Sequence, residues 1–594
     1  MSRPHGTDPR LPADVPLLND LVASLTESLL NDAGLPTANS RDPANGVLDR
    51  AAVLRVLQAV GETGARRRLG QLKRADPHSR PAIALLEAAA GWNRAEVLTG
   101  LRQRAQLAVK AFGLLPLPAG EAGPAECLER YLALRKYAAE SKQFGPQRQT
   151  NERAAVEAAL ANLAQTAGYS SARVLSQAME VRLDRRQHAD AARIVGPYRL
   201  ELAGSGLDAA VRITRSGAEV RSVPDLVRRS AAYGELRGRA DQSRAQHARL
   251  CRTVEDLLAE ISPSAEIPAI RELPSGAAIL SSLVLQDEAG VFGLLDGRDG
   301  TLLDDQGARR QARGVPRPVH PLQLARAGKL ATWQGIIVGK RVVQPFKQVF
   351  REMYEPAAAE RQAAQASERF AGRRLAARAA ARFLQARGWQ IESGGLVLAY
   401  KDFAASRIRA VLDFPGATDW PKRAGELTTG PAYFEPLPGP GQDVIEEERV
   451  PLDRVPEVIF SEVLRDWDLL TAAAAAPGQA APLSAERLAR RTELVAAVLD
   501  ALGQAGAGVE GAEVLVSVKR GAYRVRLEDA GIRAEPGGEP VRVPEHWGRD
   551  QAPFYLPVPP AEDPLSGEVV GRVLRLLRGD EVARERVRGW QSEE

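Results

Sequence analysis

Leu17, Leu18, Leu21, Val22, Leu25, Leu29 and Leu30 recur at intervals of three and four, which puts apolar side chains on one face of an α-helix. The same spacing predicts helices near residues 48–60, 82–90, 95–112, 127–139 and 152–167, punctuated by Gly91 and by Leu115-Pro116-Leu117-Pro118-Ala119-Gly120. Six helices in succession read as an α-helical array over residues 1–195, with a HEAT-like stack as one form of it. From Gly196 the period changes to two. Tyr198, Leu200 and Leu202 alternate with Arg199 and Glu201, and residues 210–214 alternate likewise before the turn at Ser216-Gly217, so a small β insert is expected. Pro224 then opens an Arg- and Ala-rich stretch to Ile261 that reads as an antiparallel helical hairpin, completing a second region at residues 196–280.

Beyond residue 281 helices and strands mix. Strands are predicted at 281–285 and 290–295, with hairpin turns at Asp296-Gly297 and Asp299-Gly300, and a long Ala/Arg helix is predicted at 357–387. Further strands fall at 396–401 and 407–414, then a Pro/Gly loop at 436–441, helices at 458–476 and 484–503, a three-stranded meander (514–518, 523–527, 532–534) and a last helix from Pro564. Helices in groups between short hairpins predict a helix-rich α+β fold, with residues 281–594 as its C-terminal α+β domain.

Composition narrows the class of protein. Over 594 residues, 44% hydrophobic and 26% charged composition is that of an ordinary globular chain with several cores. The formal charge, 80 − 75 = +5, is too small for a dedicated DNA coater, although 70 of the 80 basic residues are Arg. Two distant cysteines, Cys127 and Cys251, fit a reducing compartment, and no apolar run reaches membrane-spanning length, so a cytoplasmic location is expected. On the 224–261 stretch, Arg237, Arg239, Arg244, Arg249 and Arg252 read as a solvated face balanced by Asp241, Glu255 and Asp256; tracking a nucleic-acid backbone is the alternative.

Most catalytic patterns are missing. The six histidines have no Cys or second His at ligand spacing, so neither a metal nor a cofactor is expected. Gly335 to Arg341 is one residue short of a phosphate loop and lacks its Ser or Thr, and Asp296, Asp299, Asp304 and Asp305 fit turns rather than a calcium loop. Trp547-Gly548-Arg549 is too short a run to stand for a module. One segment is dense: Gln344-Pro345-Phe346-Lys347-Gln348-Val349-Phe350-Arg351-Glu352-Met353-Tyr354. Pro345 suits a first helical position and Phe346, Val349 and Phe350 make an apolar stripe, which places Lys347 and Arg351 on one face. Like charges so spaced cost about 0.2–0.5 kcal/mol unless an anion sits opposite. Ser461-Glu462-Val463-Leu464-Arg465-Asp466-Trp467-Asp468, if helical, presents Glu462 and Asp466 as an acidic mirror. Docked together, the two faces form a buried ion-pair network; facing a cleft, they provide cations for an anionic ligand and carboxylates for a proton or a metal.

The run from Gln344 to Tyr354, with Ser367-Glu368-Arg369-Phe370-Ala371-Gly372 and Arg387-Gly388-Trp389, resembles the bacterial domain of unknown function 4132, typified by proteins named molybdate metabolism regulators. Weaker echoes lie at Lys142 to Arg148, His320-Pro321-Leu322, Phe460 to Asp468, Val518 to Ile532 and Asp563 to Ser566. The resemblance implies a cytoplasmic bacterial protein with helical N-terminal regions and a terminal α+β domain, and it brings no catalytic residues. Relatives often carry an N-terminal module named after Trp-Gly-Arg and linked to nucleic acids; residues 1–136 here are helical instead.

The expectation is a non-enzymatic regulatory or scaffold protein that contacts protein partners through its helical N-terminal region. Its functional or ion-pair face comprises Gln344, Lys347, Arg351, Glu352, Tyr354, Arg369, Glu462, Arg465, Asp466 and Asp468. Two alternatives stand beside it. One is an enzyme acting on a phosphorylated or nucleotide-like substrate, with Lys347, Arg351 and Arg369 on the anion and Glu462, Asp466 or Asp468 as acid, base or metal ligand. The other is nucleic-acid binding through the Arg-rich helices.

Overall fold

Apolar residues at helical spacing do become helices in the first third of the chain. The computed structural model describes residues 15–584 except 32–45, 121, 170, 189–191, 205, 221, 260–266, 298, 362–363, 394–396, 404, 418–424, 438–448, 479–482, 505, 520, 543–554, 561 and 579–582. The loop expected at 436–441 lies largely, and Trp547-Gly548-Arg549 wholly, outside the described residues. Residues 1–192 and 193–594 form two compact units.

In the first unit the described helices are α1 (Val15–Asn31), α2 (Arg50–Val60), α3 (Glu62–Ala75), α4 (Arg80–Ala89), α5 (Arg94–Arg102), α6 (Gln106–Leu114), α7 (Ala122–Glu140), α8 (Pro146–Thr166) and α9 (Ala172–His188). The run 95–112 is two helices, not one, because Arg104 takes φ +59° between them. Gly100 permits that turn: a Cβ there would lie 2.6 Å from Ala108 Cβ. α3 escaped the sequence reading because only Ala65 and Leu69 of its fourteen residues are buried. Asn162 of α8 ties distant elements together, accepting from the Leu48 N–H and donating to the carbonyls of Gly46 and Lys110.

The second unit is helix-rich α+β with antiparallel sheets. It opens on a four-stranded meander, β1 (Arg193–Val195), β2 (Tyr198–Ala203), β3 (Ala210–Arg215) and β4 (Ala218–Glu219). After α10 (Asp225–Arg228) comes α11 (Ala231–Leu258), one continuous helix of 28 residues where a hairpin was expected. Gly234 and Gly238 both lie on open helix surface and do not turn the chain, while Leu236, Ala240, Ser243, Leu250, Val254 and Leu257 form one buried stripe. Then follow α12 (Ile267–Glu272), α13 (Pro274–Ser281) and a sheet of β5 (Val284–Gln286), β6 (Phe292–Asp296), β7 (Thr301–Leu303), β8 (Arg309–Gln311) and β9 (Arg317–Pro318), in the order β8-β7-β6-β5-β9. α14 (Pro321–Arg326) and α15 (Leu330–Gly339) lead into the dense segment.

The long helix expected at 357–387 is mostly absent. Among its described residues only α16 (Ala377–Ala386) is helical; before it, β10 (Ala366–Ser367) and β11 (Arg374–Ala376) pair with later strands. Tertiary bonds override the local Ala/Arg propensity. Glu360 accepts from Ala357 N–H and Ser367 Oγ, and Thr429 Oγ1 accepts from Arg373 N–H. β12 (Gln390–Ser393), β13 (Val397–Phe403), β14 (Ile408–Asp413), β15 (Glu426–Thr428) and β16 (Ala432–Pro436) complete this part, with sheet order β10-β16-β14-β13-β12 and β11 paired to β15. α17 (Glu457–Ala473) and α18 (Ala485–Ala501) precede a six-stranded sheet of β17 (Ala507–Glu510), β18 (Glu513–Val518), β19 (Gly521–Arg526), β20 (Ile532–Glu535), β21 (Pro540–Arg542) and β22 (Ala583–Arg584), with α19 (Pro564–Arg578) on it.

Two of the apolar cores of this unit meet at the dense segment. One joins α16, β13, β14, β16 and α17; the other joins α15, α18, β18, β19 and α19. Residues 349–354 run from one to the other, with Val349 and Phe350 in the second core and Tyr354 in the first. No helix among the described residues is long and apolar enough to cross a membrane.

Candidate functional site

The segment Gln344 to Tyr354 is not helical, contrary to the sequence expectation; its only helix-like element is a turn in which Arg351 N–H donates to the Gln348 carbonyl, 3.1 Å. Two buried amides replace the helical ladder. Gln348 donates to the carbonyls of Val284 (2.7 Å) and Val319 (2.9 Å) and accepts from Val284 N–H, so it acts as an extra rung beside β5. Gln344 donates to Gln348 Oε1 and to the Ser282 carbonyl and accepts from Val349 N–H. Neither amide is accessible to solvent. A buried polar group without partners is costly, so the two glutamines hold this irregular backbone in one conformation.

This backbone carries the charged side chains into the interior. Arg351 grips Glu462 of α17 in a fork, Nε to Oε1 at 2.7 Å and Nη2 to Oε2 at 2.5 Å, and Nη1 donates to the Lys347 carbonyl. Arg351 is 1% and Glu462 4% exposed. His320 caps α14: its Nδ1 accepts from Leu322 N–H, so Nε2 carries the proton and donates to Glu462 Oε1 at 3.1 Å. Lys347 does not reach Glu462. Its Nζ bonds Glu352 Oε1 (2.7 Å) and Asp563 Oδ2 (2.9 Å), while Arg465 Nε takes the other Glu352 oxygen at 2.9 Å. Asp563 caps α19 through Ser566 N–H and accepts from Arg491 Nη2.

Asp466, one turn beyond Glu462, meets a separate set of donors: Arg387 Nε, the neutral Trp389 Nε1 at 2.9 Å and Lys401 Nζ at 3.3 Å. Asp468 accepts from Tyr354 OH at 2.6 Å and from Ser484 Oγ, the N-cap of α18. Arg369 stands apart from Lys347 and Arg351: it pairs with Glu360, with a weaker contact to Glu486. Arg351, Glu352 and Tyr354 thus bond Glu462, Arg465 and Asp468 of α17, and Lys347 joins them through Glu352, whereas Gln344 bonds an amide and backbone groups, Asp466 has its own donors and Arg369 stands apart.

The electrostatics follow from burial opposed by pairing. Burial pushes the Glu462 carboxyl up, but the Arg351 charge and the bonds from Arg351 and His320 outweigh it and hold the group well below the carboxylate range. Asp466 is likewise pushed up by burial and brought down to about 2 by Arg387 and Lys401. Burial lowers His320 more than Glu462 raises it, so the imidazole is neutral near pH 7. Asp468 goes the other way, because burial exceeds the help of its two hydroxyl donors.

Several members of the network were not singled out from sequence. Glu255 reads on the helix as a partner for surface arginines; α11 instead carries it inward, 2.9 Å from Arg351 Nη2 and 3.8 and 3.9 Å from Arg387 and Arg465. Asp563-Pro564-Leu565-Ser566 does show a capping pattern in sequence, but nothing in it indicates Lys347. Lys401 and Arg491 give no local signal. Among the described residues no group of three or more His, Cys, Asp or Glu is placed to hold a metal ion.

No curated protein and no solved structure matches the chain. Residues 101–179 match a family of unknown function (DUF5724), a span that includes Asn162 and the segment Lys142 to Arg148. Residues 217–389 match a domain of unknown function (DUF4132), a span that holds Glu255, His320, the whole segment from Gln344 to Tyr354, and Arg387, so in this part the chain is similar to that domain.

Proposed function

We propose that this chain is a non-enzymatic regulatory or scaffold protein of the bacterial cytoplasm, whose helical unit, residues 1–192, carries contacts to protein partners. One observation supports the reading above the others. Lys347, Arg351, Glu462 and Asp466 are all between 1% and 4% exposed, and each is paired with an opposite charge: Lys347 with Glu352 and Asp563, Arg351 with Glu462, and Asp466 with Arg387 and Lys401. Groups arranged in that way position α11, α17 and α19 around a single segment. A catalytic use on a phosphorylated substrate requires the same four groups to line an open cleft. The tie to molybdate metabolism, which comes only from the resemblance to proteins named molybdate metabolism regulators, enters this reading as a regulatory association.

The test is purification of the full-length chain from its native host, followed by incubation with phosphomonoesters and nucleotides. The expected result is a protein partner at constant stoichiometry through successive columns, and no turnover. Turnover that disappears in Lys347→Gln would overturn the proposal.

A further inference from the structure

Glu255 is the odd member of the network. Arg351, Arg387 and Arg465 each already have a carboxylate of their own, Glu462, Asp466 and Glu352 respectively. The Glu255 carboxylate arrives from α11 as an additional anion and places one oxygen, Oε1, within 2.9, 3.8 and 3.9 Å of the three guanidinium groups. The fit is poor. Oε1 is buried, yet among the described residues it receives no aligned hydrogen bond, and Arg465 Nη1, also buried, donates to nothing. Charge explains why an anion stands there at all. Lys347, Arg351, Arg387, Lys401, Arg465 and Arg491 are six cations, against the four carboxylates of Glu352, Glu462, Asp466 and Asp563. Glu255 and Glu562, which lies 3.5 Å from Arg465, make up the difference.

Although Oε1 is buried, parts of the surrounding side chains reach solvent. Arg351 and Arg465 are 1% exposed, whereas Glu255, Arg387 and Glu562 are 22%, 21% and 26% exposed, so the three-arginine cluster has a partly open rim on the Glu255 side. A carboxylate offers two coplanar oxygens. A tetrahedral oxyanion offers oxygens in several directions and can meet three converging guanidinium groups, including the unpartnered Arg465 Nη1.

We propose that Arg351, Arg387 and Arg465 form a binding site for a tetrahedral oxyanion of the phosphate type, which Glu255 of α11 occupies in the structure and which a ligand enters by displacing that carboxylate. The site goes beyond the scaffold reading and does not depend on it. It gives α11 two positions, one with Glu255 on the arginines and one with Glu255 in water. Burial pushes the Glu255 carboxyl up and the three arginines pull it down further, so it is ionised and competes as an anion.

The experiment is calorimetric titration of the full-length chain with inorganic phosphate, glycerol 3-phosphate and acetate. Glu255→Ala leaves every arginine with its own carboxylate, so the fold is expected to persist. Phosphate affinity should rise at least tenfold over wild type and fall back by a similar factor in Glu255→Ala/Arg387→Gln. A gain shared by glycerol 3-phosphate assigns the site to a phosphomonoester; a gain with phosphate alone assigns it to the free anion, and both support the proposal. In the wild-type chain, saturating phosphate should speed amide exchange in the last two turns of α11. The proposal fails if Glu255→Ala gains no phosphate affinity, if the gain survives Arg387→Gln, if acetate binds as well as phosphate, or if exchange in wild-type α11 does not respond.

Discussion

Replacing Arg351 by Met tests the network where it is most completely buried. The substitution keeps an unbranched side chain of similar length and removes the fork on Glu462, the bond to the Lys347 carbonyl and the contact with Glu255. Glu462 is left with His320 Nε2 as its partner. Removing one member of a buried pair costs about 3–5 kcal/mol, chiefly because the other charge stays behind; Arg351→Met takes the fork from Glu462 and the nearest guanidinium from Glu255, which keeps the more distant Arg387 and Arg465. The reverse change, Glu462→Gln, leaves Arg351 beside Glu255 and the Lys347 carbonyl, so it should cost less, about 2 kcal/mol. The double variant should cost less than the sum by about 2 kcal/mol, the coupling of one direct pair. pH gives an independent sign. With Arg351 present, the folded value of Glu462 lies below its unfolded value, so its contribution is complete above about pH 4.3 and is lost as pH falls. Without Arg351, burial raises Glu462 above the unfolded value, and stability is then lost as pH rises. The cost of Arg351→Met should therefore be larger at pH 7 than at pH 4. Native-state hydrogen exchange on the α17 amides measures both quantities. A coupling under about 0.5 kcal/mol, or a cost that does not change with pH, refutes the network account.

Three further outcomes are expected. His320→Asn keeps a capping side chain but should cost about 1–2 kcal/mol at pH 7 through loss of the bond to Glu462. Because the folded imidazole is held below its unfolded value, wild type should also lose stability as pH falls from about 6.5, and His320→Asn should lose less across that window; equal slopes in urea titrations would contradict the neutral imidazole. Arg369→Ala and Lys347→Met should be additive within about 0.5 kcal/mol, since they share no partner; a larger coupling would place Arg369 in the network after all. Gly113→Ala should destabilise the N-terminal unit by about 1–3 kcal/mol, because its Cβ would fall 2.1 Å from the Ala159 carbonyl and push α6 off α8; unchanged exchange in α8 would refute that contact.

The helix-rich α+β class was legible because most elements bury one face, and a face leaves a period of 3.6 or two in the sequence. α17 shows how far that goes. Its period placed Glu462 and Asp466 on one side of a helix, and the structure keeps them there. The period says nothing about which cation each meets, and the two turned out to face different ones: Arg351 for Glu462, and Arg387 with Lys401 for Asp466. The segment before α17 failed for the opposite reason. Phe346, Val349 and Phe350 have helical spacing and are buried, but Gln344 and Gln348 are buried with them, and their amides bond the backbone of neighbouring elements in place of a helical ladder. A polar residue that satisfies a distant carbonyl looks, in one sequence, like a polar residue on a surface. Glu255 is the clearest case. On an Arg-rich helix it is the expected counter-charge for its neighbours, and only the packing of α11 against α13 and β9 turns it toward the arginines of other elements. Local periodicity is thus a reliable guide to which face of an element is apolar, whereas most of the ionic partners lie far off in sequence, from the 65 residues that separate Lys401 from Asp466 to the 216 that separate Lys347 from Asp563. A buried charge in this fold therefore has to be sought where a charged residue interrupts or borders an apolar stripe, as Glu255 does beside Val254 and Leu258 and as Glu462 does between Phe460 and Val463.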